Sequence, residues 1–162
     1  MISLHEPTIV GKEKKYLKDC IDSTWVSTSG KYINLFEKKI TKYTKSKYAV
    51  ALNSGTSALQ ISLKILKVMP GDEVIVPTIT FIAPVNAIVY NKAIPVFMDV
   101  DDYFNIDVKK TKHFLEKCTF SKKGFTYNKK SKNKISAIIV VHTFGNLADI
   151  SSLVKICKKK NI

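Results

Sequence analysis

The stretch Asn53–Ser57 sets a glycine among hydroxyl side chains, between an apolar run and an amphipathic helix pattern. At the first turn of a helix, free backbone N–H groups and the helix dipole favour an anion. Gly55 would let the backbone approach a ligand closely, and Ser54 and Thr56 would add hydroxyl donors. The stretch is therefore a candidate phosphate site. The same residue types commonly cap helices, and local physics alone leaves both interpretations open.

Other polar residues also follow apolar runs. His142 comes directly after one, at the edge where α/β sheets bind ligands, so it either contacts a ligand or packs there. For Asp99, Asp101 and Asp102 we expect an Asx turn rather than a metal site, because clustered acids at a strand exit usually form such turns. The motifs G-x-x-x-x-G-K and G-x-G-x-x-G do not occur in the sequence, which weakens nucleotide hydrolysis and dinucleotide binding as functions.

Hydrophobic periodicity predicts the elements that must position these residues. Near the N-terminus, a polar helix should turn Leu17 and Ile21 inward. A second helix should carry four apolar or aromatic residues on one face: Ile33, Phe36, Ile40 and Tyr43. The predicted strands are 48–52, 73–76, 95–98 and 135–141, and the later helices are 56–69, 81–90, 107–118 and 149–160.

Apolar strands that alternate with helices predict an α/β fold, with a mainly parallel sheet covered by helices on both faces. A polar, Lys-rich insertion at 119–134 is expected to be a solvated loop. The sequence stops after a helix, where this rhythm requires another strand. We therefore expect an incomplete large domain at 31–162, preceded by a helix and a turn-rich segment at 1–30.

The composition suits one globular domain, since 45% of the 162 residues are hydrophobic and 25% are charged. The formal charge of +14 raises nucleic acid as a partner. All 27 basic residues are lysine, however, so the arginine fork that reads guanine and grips phosphate is absent. We expect no specific nucleic-acid binding.

The sequence shows neither a membrane-spanning run nor a signal peptide, which predicts a cytoplasmic protein without a membrane partner. Cys20, Cys118 and Cys157 lie far apart, which argues against a disulfide framework or a zinc site. We expect all three to be buried or half-buried thiols.

Four stretches resemble, in order and spacing, successive blocks of the sugar-nucleotide aminotransferases of the DegT/DnrJ/EryC1/StrS type. These are pyridoxal 5'-phosphate enzymes of the aspartate-aminotransferase fold (fold type I). Two further stretches resemble the subgroup that acts on 4-keto-6-deoxy sugar nucleotides in legionaminic acid or bacillosamine synthesis. The family blocks are 53–59, 70–81, 96–101 and 141–146, and the subgroup stretches are 25–31 and 124–128.

The resemblance implies roles for individual residues. The backbone amides of Gly55 and Thr56, with the Thr56 hydroxyl and the neighbouring Ser54, would hold the cofactor phosphate. Phe81 would stack on the pyridine ring, although composition alone favours a core phenylalanine. His142 would lie next to the cofactor.

The resemblance also implies a reaction, the transfer of an amino group, usually from glutamate, to a nucleotide-linked keto sugar for cell-surface glycans. Such enzymes are homodimers. The family's Schiff-base lysine and the acid that pairs with the pyridine nitrogen follow later blocks, so we expect both beyond residue 162 and no activity from this chain alone. The alternative is a catalytically inactive truncated fragment, or a binding module that uses the same phosphate site and lacks the Schiff-base lysine.

Overall fold

The computed structural model describes residues 6–162, so the first five residues, which the signal-peptide prediction covered, lie outside it. The chain forms two compact units, one ending at Leu52 and the other comprising Asn53–Ile162. The division predicted from the sequence, into 1–30 and 31–162, differs from this boundary at residue 52. It stays a prediction about the domains of the whole protein.

The first unit contains α1 (Glu13–Asp22) and α2 (Lys31–Thr44). The Asp19 carboxylate joins them, because it accepts hydrogen bonds from the Tyr32 hydroxyl at 2.6 Å and the Lys31 ammonium at 2.5 Å. Neither helix contains a buried residue. The prediction that Leu17 and Ile21 face inward is therefore wrong, because both are exposed. On the predicted face of α2, Phe36 and Tyr43 are exposed, whereas Ile33 and Ile40 are half-buried. Within the unit, two short helices have too little surface to bury both apolar stripes.

The predicted strand at 48–52 does not form. Its apolar residues have strand propensity, but a strand also needs a partner whose backbone groups continue the ladder. Among the described residues no strand pairs with it. The Ala51 N–H instead donates to the Glu37 carboxylate at 2.8 Å.

The second unit contains the predicted strands and helices in the predicted order, and it has two further strands in the insertion at 119–134. Among the described residues, no helix is both long and apolar enough to cross a membrane. The elements are α3 (Gly55–Ile65), β1 (Glu73–Pro77), α4 (Ile82–Tyr90), β2 (Ile94–Met98), α5 (Val108–Lys117), β3 (Thr119–Lys122), β4 (Phe125–Asn128), β5 (Ile135–Ile138) and α6 (Ile150–Lys160).

Strands β2, β1 and β5 form a parallel sheet in that order. Side chains of β1 alternate between two cores, because successive strand residues point to opposite faces. Val74 and Val76 join the core covered by α3 and α4, whereas Ile75 joins the core covered by α5 and α6. The prediction of an α/β fold with helices on both faces of a parallel sheet is confirmed.

The insertion at 119–134 was predicted to be a solvated loop, but it contains the antiparallel hairpin β3–β4. Its two-residue turn is Lys123–Gly124, with φ of 51° and 79°. Two left-handed residues match the natural twist of a hairpin, and glycine supplies one of them without strain. The buried Glu73 carboxylate anchors the segment that follows, since it accepts hydrogen bonds from Asn128 at 2.9 Å and Ser131 at 2.5 Å.

The three cysteines are free thiols, but the prediction that all are buried or half-buried is wrong for Cys118. Cys118 occupies the C-cap position of α5 and is exposed. Cys20 and Cys157 are half-buried, and burial raises the pKa of the Cys157 thiol.

Candidate functional site

The turn before α3 is a helix cap. Ser54 has an extended backbone (φ −157°, ψ 157°), and its hydroxyl accepts a hydrogen bond from the Ser57 N–H at 3.1 Å. Its carbonyl accepts from the Ala58 N–H at 3.1 Å, which begins the helix. The capping interpretation is therefore correct for Ser54, whose hydroxyl is already engaged within the turn.

Capping leaves the amides of Gly55 and Thr56 open. Among the hydrogen bonds of the described residues, neither N–H has an acceptor. Gly55 is exposed, and a Cβ added to it would meet no atom within 4 Å. The first amides of a helix carry part of the positive end of its dipole. Two unpaired donors facing open space fit a phosphate, so the turn can cap the helix and bind an anion with different groups.

Phe81 is not a core residue. It precedes α4 at the N-cap position, and its side chain is 80% exposed. An exposed aromatic ring gains nothing from burial in the core, which favours a ligand-contacting role over the core interpretation. The adjacent Thr80 hydroxyl is buried and has no hydrogen-bond partner.

His142 lies beyond β5 and is exposed. Its Nδ1 accepts a hydrogen bond from the Ala148 N–H at 3.1 Å, and its carbonyl accepts from the Gly145 N–H at 3.1 Å. The neighbouring Thr143 hydroxyl is buried without a partner. The loop therefore holds the imidazole by one ring nitrogen.

The sheet brings these residues to one edge. Phe81 and His142 follow the carboxyl ends of β1 and β5, which are adjacent and parallel. A short connection returns the chain from α3 to the start of β1, and Leu59 and Leu63 of α3 pack in the core beside β1. The N-terminus of α3 therefore points toward the same edge, where α/β sheets bind ligands.

The acids after β2 shape a turn at this edge. The Asp101 carboxylate accepts hydrogen bonds from the Tyr103 N–H at 2.9 Å and the Asn105 N–H at 3.0 Å, which confirms the predicted Asx turn. Asp99 binds the Lys110 ammonium, and this contact lowers the pKa of the exposed Asp99 carboxyl. Among the described residues, no group of three or more His, Cys, Asp or Glu side chains could hold a metal ion.

Sequence reasoning missed three features of the edge. Asn105 is buried, and its side-chain oxygen accepts from the Thr143 N–H at 3.3 Å. Phe104 and Phe144 are both left-handed, with φ of 62° and 53°, and their rings meet edge to face at 6.2 Å. A single polar residue after an Asp-rich turn signals Asn105 weakly, whereas no sequence pattern marks a left-handed phenylalanine.

Comparisons with known proteins agree with this architecture. The family model of the DegT/DnrJ/EryC1/StrS aminotransferases matches residues 7–162. GDP-perosamine synthase of Escherichia coli O157:H7 is 38% identical over 99% of this chain, which corresponds to 40% of that protein. The synthase of Vibrio cholerae is 39% identical over 100% of this chain and also 40% of its own length. The chain thus spans about 40% of the length of these curated relatives.

Solved structures give the same result. Spr1654 of Streptococcus pneumoniae, solved in PLP and PMP forms, superimposes with a TM-score of 0.78 at 29% identity, covering 98% of this chain and 36% of that protein. Helicobacter pylori PseC, an aminotransferase of pseudaminic acid biosynthesis, gives a TM-score of 0.81 at 25% identity, covering 99% and 39%. The PLP and PMP forms of Spr1654 confirm the prediction of pyridoxal 5'-phosphate as the family's cofactor. The fold, the sequence blocks and the family match agree: the chain belongs to the DegT/DnrJ/EryC1/StrS aminotransferase family.

Proposed function

We propose that the protein carrying this chain transfers an amino group to the keto carbon of a nucleotide-linked sugar with pyridoxal 5'-phosphate as cofactor. The observation that carries the proposal is the open N-terminus of α3, with two unpaired amides, at the edge of the sheet that also bears Phe81 and His142. The perosamine synthases and a dTDP-sugar 4-aminotransferase among the relatives support the substrate class.

Each site residue has a distinct task in this proposal. The Gly55 and Thr56 amides, with the Thr56 hydroxyl, hold the cofactor phosphate, and Ser54 keeps the turn in shape through its cap. The Phe81 ring holds the flat pyridine without altering its charge. His142 is placed to contact an edge of the bound cofactor or substrate. The cofactor itself, when bound, serves as the electron sink for amino transfer.

The finer substrate is a further proposal. We take it to be a 4-keto-6-deoxy sugar nucleotide of the kind used for legionaminic acid or bacillosamine, with glutamate as amino donor. A role in cell-surface glycan synthesis is supported by the 30% identity with the spore coat polysaccharide biosynthesis protein SpsC of Bacillus subtilis. Homodimeric assembly, a cytoplasmic location and the lack of specific nucleic-acid binding stay predictions.

The test combines turnover with mapping of the cofactor-linked lysine in the native protein. Amino transfer from glutamate should be measured with 4-keto-6-deoxy sugars linked to GDP, UDP and dTDP. Borohydride reduction in the presence of pyridoxal phosphate, followed by peptide mapping, should label one lysine stoichiometrically. We expect that lysine outside residues 1–162, because none of the 27 lysines here occupies the family's position.

The 162-residue chain alone serves as the comparison. It should show scattered, substoichiometric labels and no turnover, since exposed lysines condense with the aldehyde indiscriminately. A stoichiometric label on one lysine within these residues, together with turnover, would contradict the proposal that the catalytic lysine lies elsewhere. Phosphate-dependent cofactor binding without turnover in the native protein would favour the alternative, a binding module.

A further inference from the structure

Two loops at the carboxyl edge of the sheet are tied together. One, residues 99–107, follows β2, and the other, residues 142–149, follows β5. The Asn105 side chain accepts a hydrogen bond from the Thr143 N–H, and the Asn146 side chain donates to the Tyr103 carbonyl, both at 3.3 Å. The loops therefore support each other directly next to His142.

Strained backbone marks the same contact. Phe104 and Phe144 adopt left-handed φ values, which crowd the Cβ of any residue other than glycine. The Phe144 side chain is 87% exposed, so burial of its ring does not offset the strain. Conformations of this kind persist where surrounding contacts impose them, and they cluster at ligand sites. Here the strained pair flanks the turn that begins at His142.

The loop also determines which imidazole nitrogen carries the proton. A backbone N–H can only donate, so the hydrogen bond from Ala148 to Nδ1 at 3.1 Å requires Nδ1 to be unprotonated. In the neutral ring the proton is then on Nε2. Among the hydrogen bonds of the described residues, Nε2 has no acceptor, and the side chain is exposed. The loop thus presents an oriented Nε2–H donor at the ligand edge.

We propose that the loops 99–107 and 142–149 hold His142 as an Nε2–H donor toward an oxygen acceptor of the bound ligand. The acceptor is an anionic or carbonyl oxygen, supplied either by the pyridoxal ring hydroxyl or by the keto group of the sugar. This inference rests on the proposed function for its ligand, but the tautomer is a property of the ligand-free protein.

The tautomer is tested first, without any ligand. Long-range ¹H–¹⁵N spectra of the native protein, labelled at histidine, distinguish protonated from unprotonated ring nitrogens, and His142→Gln identifies the resonance. We expect an unprotonated Nδ1 and the proton on Nε2. A proton on Nδ1, or an averaged mixture of both tautomers, would overturn the inference even if the protein binds pyridoxal phosphate normally.

Two matched variants test the donor. His142→Asn places an amide near the Nδ1 position, where its oxygen can still accept the hydrogen bond from the Ala148 N–H. The Asn side chain is too short to place a donor at the Nε2 position. His142→Gln can place an N–H near the Nε2 position. The loss of one hydrogen bond weakens binding roughly three- to tenfold for a carbonyl acceptor and roughly 10- to 150-fold for an anionic one. The Asn variant should therefore bind the ligand at least about threefold more weakly than the Gln variant.

Two readouts separate the sources of the acceptor oxygen. Dissociation constants for pyridoxal 5'-phosphate report the ring hydroxyl, and KM values for the keto sugar report the keto group. A difference between the variants in either readout supports the donor role and names its partner. Equal values in both would overturn the donor role and leave the proposed function intact, whereas a native protein that binds neither probe would overturn both.

Discussion

Substitutions at Gly55, the first residue of α3, can distinguish the helix-capping role of its turn from the proposed phosphate-binding role. The φ of Gly55 lies outside the left-handed region, and a Cβ added to it would have no atom within 4 Å. A larger residue therefore fits the ligand-free protein. At such positions Gly→Ala stabilises by about 0.4–1 kcal/mol, mainly because the unfolded chain loses freedom. For a cooperatively folding unit of roughly 150–250 residues, that is a rise in Tm of roughly 1–4 °C.

Cofactor binding should move in the opposite direction. If a phosphate occupies the open space at Gly55, a side chain there excludes it from the Gly55 and Thr56 amides. Losing one hydrogen bond to a charged group costs about 1.5–3 kcal/mol, or roughly 10- to 150-fold in affinity. Gly55→Leu should show at least this loss, and Gly55→Ala a smaller one. The assay is pyridoxal 5'-phosphate binding to the native protein, compared with pyridoxal, which lacks the phosphate.

Two control variants complete the experiment. Ser54→Ala removes the cap and should lower stability by about 0.5–2 kcal/mol. Thr56→Val keeps the shape of the side chain and removes only the hydroxyl, so it should weaken binding of the phosphorylated probe alone. If Gly55→Leu and Thr56→Val both leave pyridoxal 5'-phosphate affinity unchanged, the turn is only a helix cap and does not bind the cofactor phosphate.

Other features give independent predictions. Glu73→Ala should lower stability by roughly 1–3 kcal/mol, because two donors of the insertion lose their acceptor, while Glu73→Gln should cost less in chemical denaturation. Phe144→Gly should be more stable than Phe144→Ala by roughly 1 kcal/mol in the same assay, since both variants lose the ring and its contact with Phe104 but only glycine removes the left-handed strain. Hydrogen bonds from Ser152 lower the pKa of the Asp149 carboxyl, so its contribution is present above the ordinary value of 3.8 and is lost as pH falls through the lower folded value. Asp149→Asn should therefore flatten the acid limb of a Tm-against-pH curve. Nucleic-acid binding in a mobility-shift assay should be weak and should vanish steeply with salt; tight, sequence-dependent binding would contradict this prediction.

The elements that sequence predicted correctly are those whose signal is local. The strands 73–76 and 95–98 are short apolar runs bounded by turn residues, and both form within a residue of the expected limits. Helix α3 carries its own N-cap in Ser54, and α6 carries one in Asp149. The order of these elements is enough to predict a parallel sheet, since consecutive strands joined by helices run the same way.

The errors concern properties that depend on a partner. Residues 48–52 have the composition of a strand, but no pattern within them reveals whether another strand lies alongside. Leu17 and Ile21 share a helix face, but whether that face is covered depends on what packs against it. The hairpin at 119–128 was missed because each strand has only four residues and lies in a lysine-rich stretch. The Lys-Gly turn and the strand-forming Phe120 and Tyr127 were the signals of a reversal.

By itself, the sequence determined the α/β class and the family, and it marked the turn at 53–57 as a candidate phosphate site, because each depends on residue type and spacing along the chain. Tertiary structure alone decided which groups are free for a ligand. It engaged the Ser54 hydroxyl in the cap and left the Gly55 and Thr56 amides unpaired. It also exposed Phe81 and bound one nitrogen of His142 to a backbone amide six residues away. These outcomes follow from the direction of donors and acceptors in space, which spacing along the chain does not encode.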